Sequence, residues 1–449
     1  MYINSINHAK ENYNMIISYN KGHKSYKFYN RTYKNSENIY TIIVGKNGSG
    51  KSRLLNGVIE NFIPHNLIRK HGNSKPGEVI CTEPPKKIIA VSTSPYDKFP
   101  LIQPQYYEPI INTFYSYIGI RDVKSFDISL GFMSKIIKEL LYIRLGKEGN
   151  YLEVINVLKY LGYSEELIIT FEIGTTSTQV KKFLEDQDLS NLSKGPSKLH
   201  RYFFEDQFKT EKIEKLKNIF FEYDFRKEKR LPIVTMNVEY IHSEMHIHDL
   251  LFLIECGIAR LKDVEIMKLE TERIHKINEA SSGQQCIFTT FLGIACHIED
   301  NSLIVIDEPE ISLHPEWQER YITLLMETFQ NYKNCHFIIA THSPQIIARL
   351  SQQNCFILQM DEMELKNGYE MANNSVDFQL ANVFNAPGFK NEYLARISFS
   401  IISKVGKTNH FDDEDLRNFE LLKSQIKNLQ NNDPIKNLFQ LIKELKKNG

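Results

Sequence analysis

The chain is poor in covalent staples. Its 449 residues hold six cysteines, at positions 81, 256, 286, 296, 335 and 355, and no two form a CxxC pair. Most lie inside apolar runs, as Cys296 does in GIACHI and Cys335 in NCHFIIA. That reads as reduced, buried thiols in a cytoplasmic protein and excludes a zinc knuckle or a disulfide miniprotein. Charge of one sign is also missing. Lys+Arg and Asp+Glu both number 55, which argues against a uniformly basic nucleic-acid coat and leaves room for a local basic groove. No apolar run approaches the ~18 residues of a membrane span. The opening MYINSINHAKENYN has no apolar core, so no secretory leader is expected. What remains is ordinary for a folded protein: 42% hydrophobic and 24% charged residues. The length, about three times a ~150-residue domain, predicts two or three lobes and can bury a core unaided.

Along the chain, residues 14–30 read as two short strands around a Lys-Gly turn, and TIIV at 41–44 as a buried strand. Residues 52–62 place Leu54, Leu55, Val58, Ile59 and Phe62 at helical spacing. Residues 64–78 read as a surface loop and 88–91 as another buried strand. Residues 131–161 are helical in period, LIITFEI at 167–173 is a candidate strand, and 198–230 are charged and helical. From 248 the pattern is helix, strand, turn, helix, strand, helix, strand, ending near Leu358. The last ~75 residues read as mostly helical.

Gly45-Lys46-Asn47-Gly48-Ser49-Gly50-Lys51-Ser52 fits G-x-x-x-x-G-K-[ST] at every fixed position, after a strand and opening a helix. The glycines let backbone N–H groups turn inward around phosphate oxygens, and the helix N-terminus adds attraction. Lys51 is expected on the β- and γ-phosphates of ATP and Ser52 on Mg²⁺. Leu303-Ile304-Val305-Ile306-Asp307-Glu308 reads as a central parallel strand ending in two carboxylates. Asp307 is the candidate Mg²⁺ ligand and Glu308 the candidate general base. Glu310 reads as a structural acid or one behind the reacting groups.

Ala280-Ser281-Ser282-Gly283-Gln284-Gln285 opens a second helix 22 residues before Asp307. It resembles the signature of ABC-type ATPases, with Ala for the usual Leu and Ser for the first Gly. The resemblance implies that Ser281 and Gly283, with Ser282 and Gln284 beside them, contact the nucleotide of a partner subunit. Ser312-Leu313-His314-Pro315 resembles the family's D-loop, and Thr341-His342-Ser343-Pro344 its His switch, with His342 orienting the γ-phosphate and attacking water.

Lys51 and Asp307 lie 256 positions apart, more than in a transporter domain, which suits the SMC-like branch. IIAVSTSPYDKFP, YSYIGIR, EASSGQQ and PEISLHPEW are similar to PtuA-like ATPases of Septu and retron antiphage systems. The resemblance covers both ATPase lobes, about half of the chain. It implies an α/β ABC-type head, a mixed sheet with a P-loop core, carrying an inserted helical lobe and a helical C-terminal segment. The expected division is 1–130 with the P-loop, a mainly helical insertion at 131–235, 236–365 with signature and switch, and a helical 366–449. One P-loop and one signature per chain imply a homodimer or higher oligomer closed around ATP, alongside an HNH-type nuclease partner and possible DNA or RNA contact. A DNA-repair ATPase and a nucleotide-stabilised scaffold with little turnover remain alternatives. In ABC proteins a Gln after the strand that follows the P-loop contacts Mg²⁺; Gln103 and Gln105 are the candidates.

No Glu-Gly pair follows the strand CFILQM at 355–360 and about 107 residues remain after His342, so a Toprim nuclease within this chain is not expected. His242, His246 and His248 read as surface or packing residues, the acidic run 412–415 as a solvated helix start, and Trp317 as packing. Residues 194–230 (11 basic, seven acidic) and 423–449 (six basic, two acidic) could touch nucleic-acid phosphates. Leucines at helical spacing in the latter also suit a partner contact.

Overall fold

The computed structural model describes residues 16–30, 37–68, 77–102, 114–121, 128–146, 151–174, 177–186, 209–223, 233–237, 239–350 and 353–448. β1 (Ile16–Lys21), β2 (Lys24–Lys27), β3 (Ile39–Val44), β4 (Glu78–Cys81), β5 (Lys87–Ser92) and β6 (Tyr115–Gly119) come first, with the helix Lys51–Glu60 between β3 and β4. β7 (Tyr163–Ile173), β8 (Val234–Met236), β9 (Ile241–His242), β10 (Ala259–Lys268) and β11 (Arg273–Lys276) make up the middle. β12 (Ser302–Asp307), β13 (His336–Ala340), β14 (Cys355–Gln359) and β15 (Glu364–Asn367) complete the set.

Seven of these strands form one sheet in the order β15-β14-β3-β13-β12-β5-β6. All are parallel except the edge strand β15. β3, β5, β12, β13 and β14 are buried along their whole length, the pattern of a sheet covered on both faces. The alternation of side chains decides which layer each residue joins. Ile42, Ile304, Ile306, Phe337 and Ile339 share one core with the helices Ile128–Arg144, Ser282–Ala295 and Pro315–Thr328. Ile43, Leu303, Val305 and Ile338 share the opposite one with Leu54, Leu55, Val58 and Ile59 of the helix Lys51–Glu60. That second layer also takes in Ile16, Tyr19 and Tyr26 of the antiparallel sheet β2-β1-β4.

Residues 131–235, expected to be mainly helical, hold four described helices in whole or in part, Ile128–Arg144, Tyr151–Tyr160, Ser177–Asp186 and Lys209–Glu222, but also the 11-residue β7. β7 pairs with β10 and β8 in a five-stranded antiparallel sheet, β11-β10-β7-β8-β9. Residues 163–173 are thereby joined to 259–268, a strand that precedes the helix Ser282–Ala295.

The C-terminal helices Val376–Asn382, Glu392–Thr408, Asp413–Gln425 and Pro434–Asn448 enclose a core of their own, with Leu394, Ile401, Leu422, Ile435 and Ile442 buried and Phe419 stacked on Phe439 at 5.4 Å. Ile435, Phe439 and Ile442 of the last helix are thus covered within the chain, and Leu441 is exposed. Asp412 caps its helix through a reciprocal bond with Asp415, as the acidic run suggested. All six cysteines are free thiols, five of them buried. No helix among the described residues is long and apolar enough to cross a membrane.

Candidate functional site

The carboxyl ends of the parallel strands align in one rung: Leu358, Ile43, Ala340, Asp307, Ser92 and Gly119 are successive register partners. In a sheet of this kind ligands bind just beyond that edge. The segments that leave β3, β12 and β13 there carry most of the residues singled out from the sequence.

The loop after β3 holds Gly45, Asn47, Gly48, Ser49 and Gly50. Gly48 and Gly50 have φ of 80° and 101°, backbone that L side chains resist. A Cβ on Gly45 would lie 2.8 Å from Ser49 Oγ and 2.9 Å from Met360 Cβ. Gly50 starts the helix Lys51–Glu60 and offers no side-chain cap, so the loop itself surrounds the positive helix end. Ser49 Oγ is buried without a hydrogen-bond partner. Lys51 is buried, and its Nζ donates to Gly45 O at 3.1 Å and meets His342 Nε2 at 2.6 Å. Burial lowers the Lys51 pKa, while the carboxylates of Glu308, Asp307, Glu310 and Asp361 work against that shift.

Asp307 ends β12 and is buried. Burial pushes its pKa up to about 7; a Ser52 hydrogen bond and Lys51 pull it down, and the charges of Glu308 and Asp97 push it up. Its Oδ1 has no hydrogen-bond partner. A buried carboxylate oxygen without a donor, beside a hydroxyl, is a pair of hard oxygens that fits Mg²⁺. Ser52 and Asp307 would hold it. Among the described residues no cluster of three or more His, Cys, Asp or Glu is placed to hold a metal, so the remaining ligands would come from phosphate and water.

Glu308 has a φ of 50°, a left-handed conformation that costs a residue with a Cβ about 1 kcal/mol or more. It is fixed by its own N–H, which donates to Ala340 O at 2.9 Å, and it presents Oε1 3.6 Å from His342 Nε2. His342 follows β13. Burial, and then the Lys51 ammonium, lower its pKa to about 4, so the ring is neutral at physiological pH and Nε2 accepts from Lys51. Lys51, Ser52, Asp307, Glu308 and His342 therefore meet at one point.

The turn at 281–284 packs against the segment 312–317. Ser281 caps the helix Ser282–Ala295 in a reciprocal capping box with Gln284. Ser281 and Ser282 are exposed, and Gly283 is buried. Ser282 Oγ donates to Ser312 O at 3.5 Å, and a Cβ on Gly283 would come 3.3 Å from that oxygen and 3.6 Å from Trp317 Cδ1. The turn thus rests on the segment 312–317 and leaves its serines accessible.

Two acids matter that the sequence did not place, and a third, Glu310, that it read as structural or behind the reacting groups. Asp361, after β14, accepts from Lys46 N at 3.3 Å. Asp97, in the loop after β5, binds Arg121 at 3.2 Å and Tyr117 Oη at 2.7 Å, close enough to act on Asp307. Glu310 grips the Thr341–His342 pair. Only the strand order, which brings β14 beside β3 and β5 beside β12, would have revealed the first two. Gln103 and Gln105 lie outside the described residues. His242 belongs to β9 and His246 precedes the helix Ile247–Glu255, so one helix does not align them.

Residues 158–348 match the family described as "AAA domain, putative AbiEii toxin, Type IV TA system". It is 26% identical to "Retron Ec83 probable ATPase" of Escherichia coli over 29% of this chain and 26% of that protein. It is 25% identical to "Protein ea59" of Escherichia phage lambda over 70% of this chain and 46% of that one. The chain thus spans less than half the length of either curated relative. Among solved structures, the Smc head domain with an extended coiled coil, bound to the C-terminal domain of ScpA and derived from Pyrococcus furiosus, aligns over 73% of this chain and 89% of that one at 12% identity. Its TM-score is 0.27.

Proposed function

We propose that the chain binds and hydrolyses ATP, and that two copies close around the nucleotide, each lending the signature turn to the other's site. The observation that carries this is the convergence of Lys51, Asp307, Glu308 and His342 at the carboxyl edge of the parallel sheet, around the glycine loop. The loop amides and Lys51 bind the β- and γ-phosphates. Mg²⁺, held by Ser52 and Asp307, would neutralise charge that develops between those phosphates. Glu308 accepts the proton of the attacking water. Neutral His342 accepts at Nε2 to orient that water against the γ-phosphate. The exposed Ser281 and Ser282, with Gly283 and Gln284, form the part of the site supplied by the second copy.

The biological role we favour is antiphage defence, in which the nucleotide state governs an HNH-type nuclease partner. The likeness to a retron ATPase supports that direction. The test uses Glu308→Gln, which removes the base and keeps the shape. Turnover should fall about 100-fold or more, and light scattering with ATP should show about twice the 52.5 kDa of one chain. Lys51→Ala should show neither ATP binding nor the mass increase. A Glu308→Gln protein that binds ATP and keeps the mass it has without ATP contradicts the closing mechanism.

A further inference from the structure

Glu310 is a half-buried acid of the site, and among the described residues no basic side chain is bonded to it. Burial raises its pKa. Its environment is made of donors from another part of the chain. Oε2 accepts from Thr341 Oγ1 at 2.8 Å, and Oε1 accepts from the N–H of His342. Those two residues lie 31 and 32 positions further on, at the end of β13. Glu310 itself is fixed by the turn that follows the catalytic carboxylates, where Ile311 N donates to Glu308 O at 3.2 Å and Leu313 N to Glu310 O at 3.0 Å. Thr341 Oγ1 accepts in turn from Ser343 N at 3.0 Å, and Ser343 Oγ donates to Gln318 Oε1 at 2.7 Å. One carboxylate thus ties the turn that carries Glu308 to the backbone from which the His342 ring projects.

Both oxygens are needed. A carboxylate supplies two acceptors, one for each neighbour, whereas an amide of the same shape supplies one acceptor and two donors. A group chosen only to fill this space would carry less cost of burying charge. We propose that Glu310 is a positioning residue for hydrolysis: by gripping Thr341 and the His342 N–H it sets where His342 Nε2 stands relative to Lys51 and Glu308. The proposal rests on the ATPase reading above for its consequence in turnover, and on contacts of this chain alone for its geometry.

Glu310→Gln keeps the volume and removes one acceptor. With His342→Ala and the double variant it closes a mutant cycle. Glu310→Gln should lower kcat about tenfold, as a small misplacement of a reacting group does, with KM for ATP within about twofold. In the His342→Ala background the same change should alter kcat less than about twofold, because residues that act through one another are not additive. Equal factors in both backgrounds, or an unchanged kcat, would overturn the proposal. A loss of folded protein is read separately by circular dichroism. A second readout needs no turnover: in ¹⁵N-histidine-labelled protein, the ring nitrogens assigned to His342 by its absence in His342→Ala should shift in Glu310→Gln. Unmoved resonances sink the positioning claim even if ATP is hydrolysed. If the wild type does not hydrolyse ATP, the function reading fails while these spectra still decide the geometry.

Discussion

β13 carries a histidine at one end and delivers another just past the other end. His336, at the amino end, is fully buried. Its Nδ1 accepts from Ile16 N at 3.3 Å and its Nε2 lies 2.9 Å from Thr41 Oγ1, so one ring joins β13 to β1 and β3. Phe28 and Tyr29 pack edge-on against it. His342, past the carboxyl end, keeps part of its ring open and faces Lys51 and Glu308. Both rings are held neutral, His336 by burial alone and His342 by burial and then a neighbouring ammonium. Identical chemistry thus serves two purposes. Where the partners are neutral backbone and hydroxyl groups, the ring is a strut. Where they are charged and reach solvent, it can respond to a ligand.

The sharpest way to break that contrast is to remove each ring in turn. His342→Ala should cut turnover about 100-fold while moving the melting temperature by no more than about 2 °C. If instead the protein unfolds and the remaining folded fraction keeps full turnover, His342 is a strut as well and the comparison collapses.

His336→Leu should do the reverse. It leaves the buried Ile16 N–H without its acceptor, which costs about 1–3 kcal/mol, read as a lower urea midpoint; Thr41 keeps its bond to Phe28 O at 2.7 Å. Turnover per folded molecule should not change. Acid sharpens the point. The folded His336 pKa is lowered to about 3, below the ~6.5 of an unfolded histidine. Between those values the unfolded chain binds the extra proton, so stability is full above pH 6.5 and falls as pH drops towards 3, by up to about 1.4 kcal/mol per pH unit. His297, also lowered to about 3 by burial and by Lys87 and Lys135, adds a similar slope. The difference between wild type and His336→Leu isolates the first ring. Identical acid slopes in the two proteins would mean that His336 is not buried neutral.

Much of this was legible because it is local. The glycine loop, the carboxylates after LIVI and the THSP segment are contiguous patterns with fixed neighbours, and each stands at the end of a strand that an apolar run announces. What was not legible depends on pairing across the chain. Glu310 finds its partners more than 30 residues away. Asp361 and Asp97 matter only because β14 lies beside β3 and β5 beside β12. β7 joins β10 over a gap of about 90 residues; LIITFEI reads as a strand on its own, but no periodicity reveals its partner. The basic, leucine-bearing C-terminus suggested a partner surface because its true cover, the helix Glu392–Thr408 and its neighbours, is an earlier stretch of the chain.

The mildest expected effect concerns the two helix starts that face phosphate in the proposed dimer. They are built differently. Gly50 gives its helix no side-chain cap, so the glycine loop presents donors ready for an anion. Ser281 and Gln284 already satisfy each other's amides, so an incoming phosphate must displace a bond that exists. The first site should therefore bind nucleotide in a single chain, and the second should act only when a partner brings it close. Ser281→Ala removes that cap at about 1 kcal/mol of stability. It should leave nucleotide affinity of one chain within about twofold and weaken ATP-driven association about tenfold, since a lost hydrogen bond to a charged group is worth about 1.5 kcal/mol or more. Measured by light scattering in the Glu308→Gln background, undiminished association would mean that this turn does not reach the partner's nucleotide.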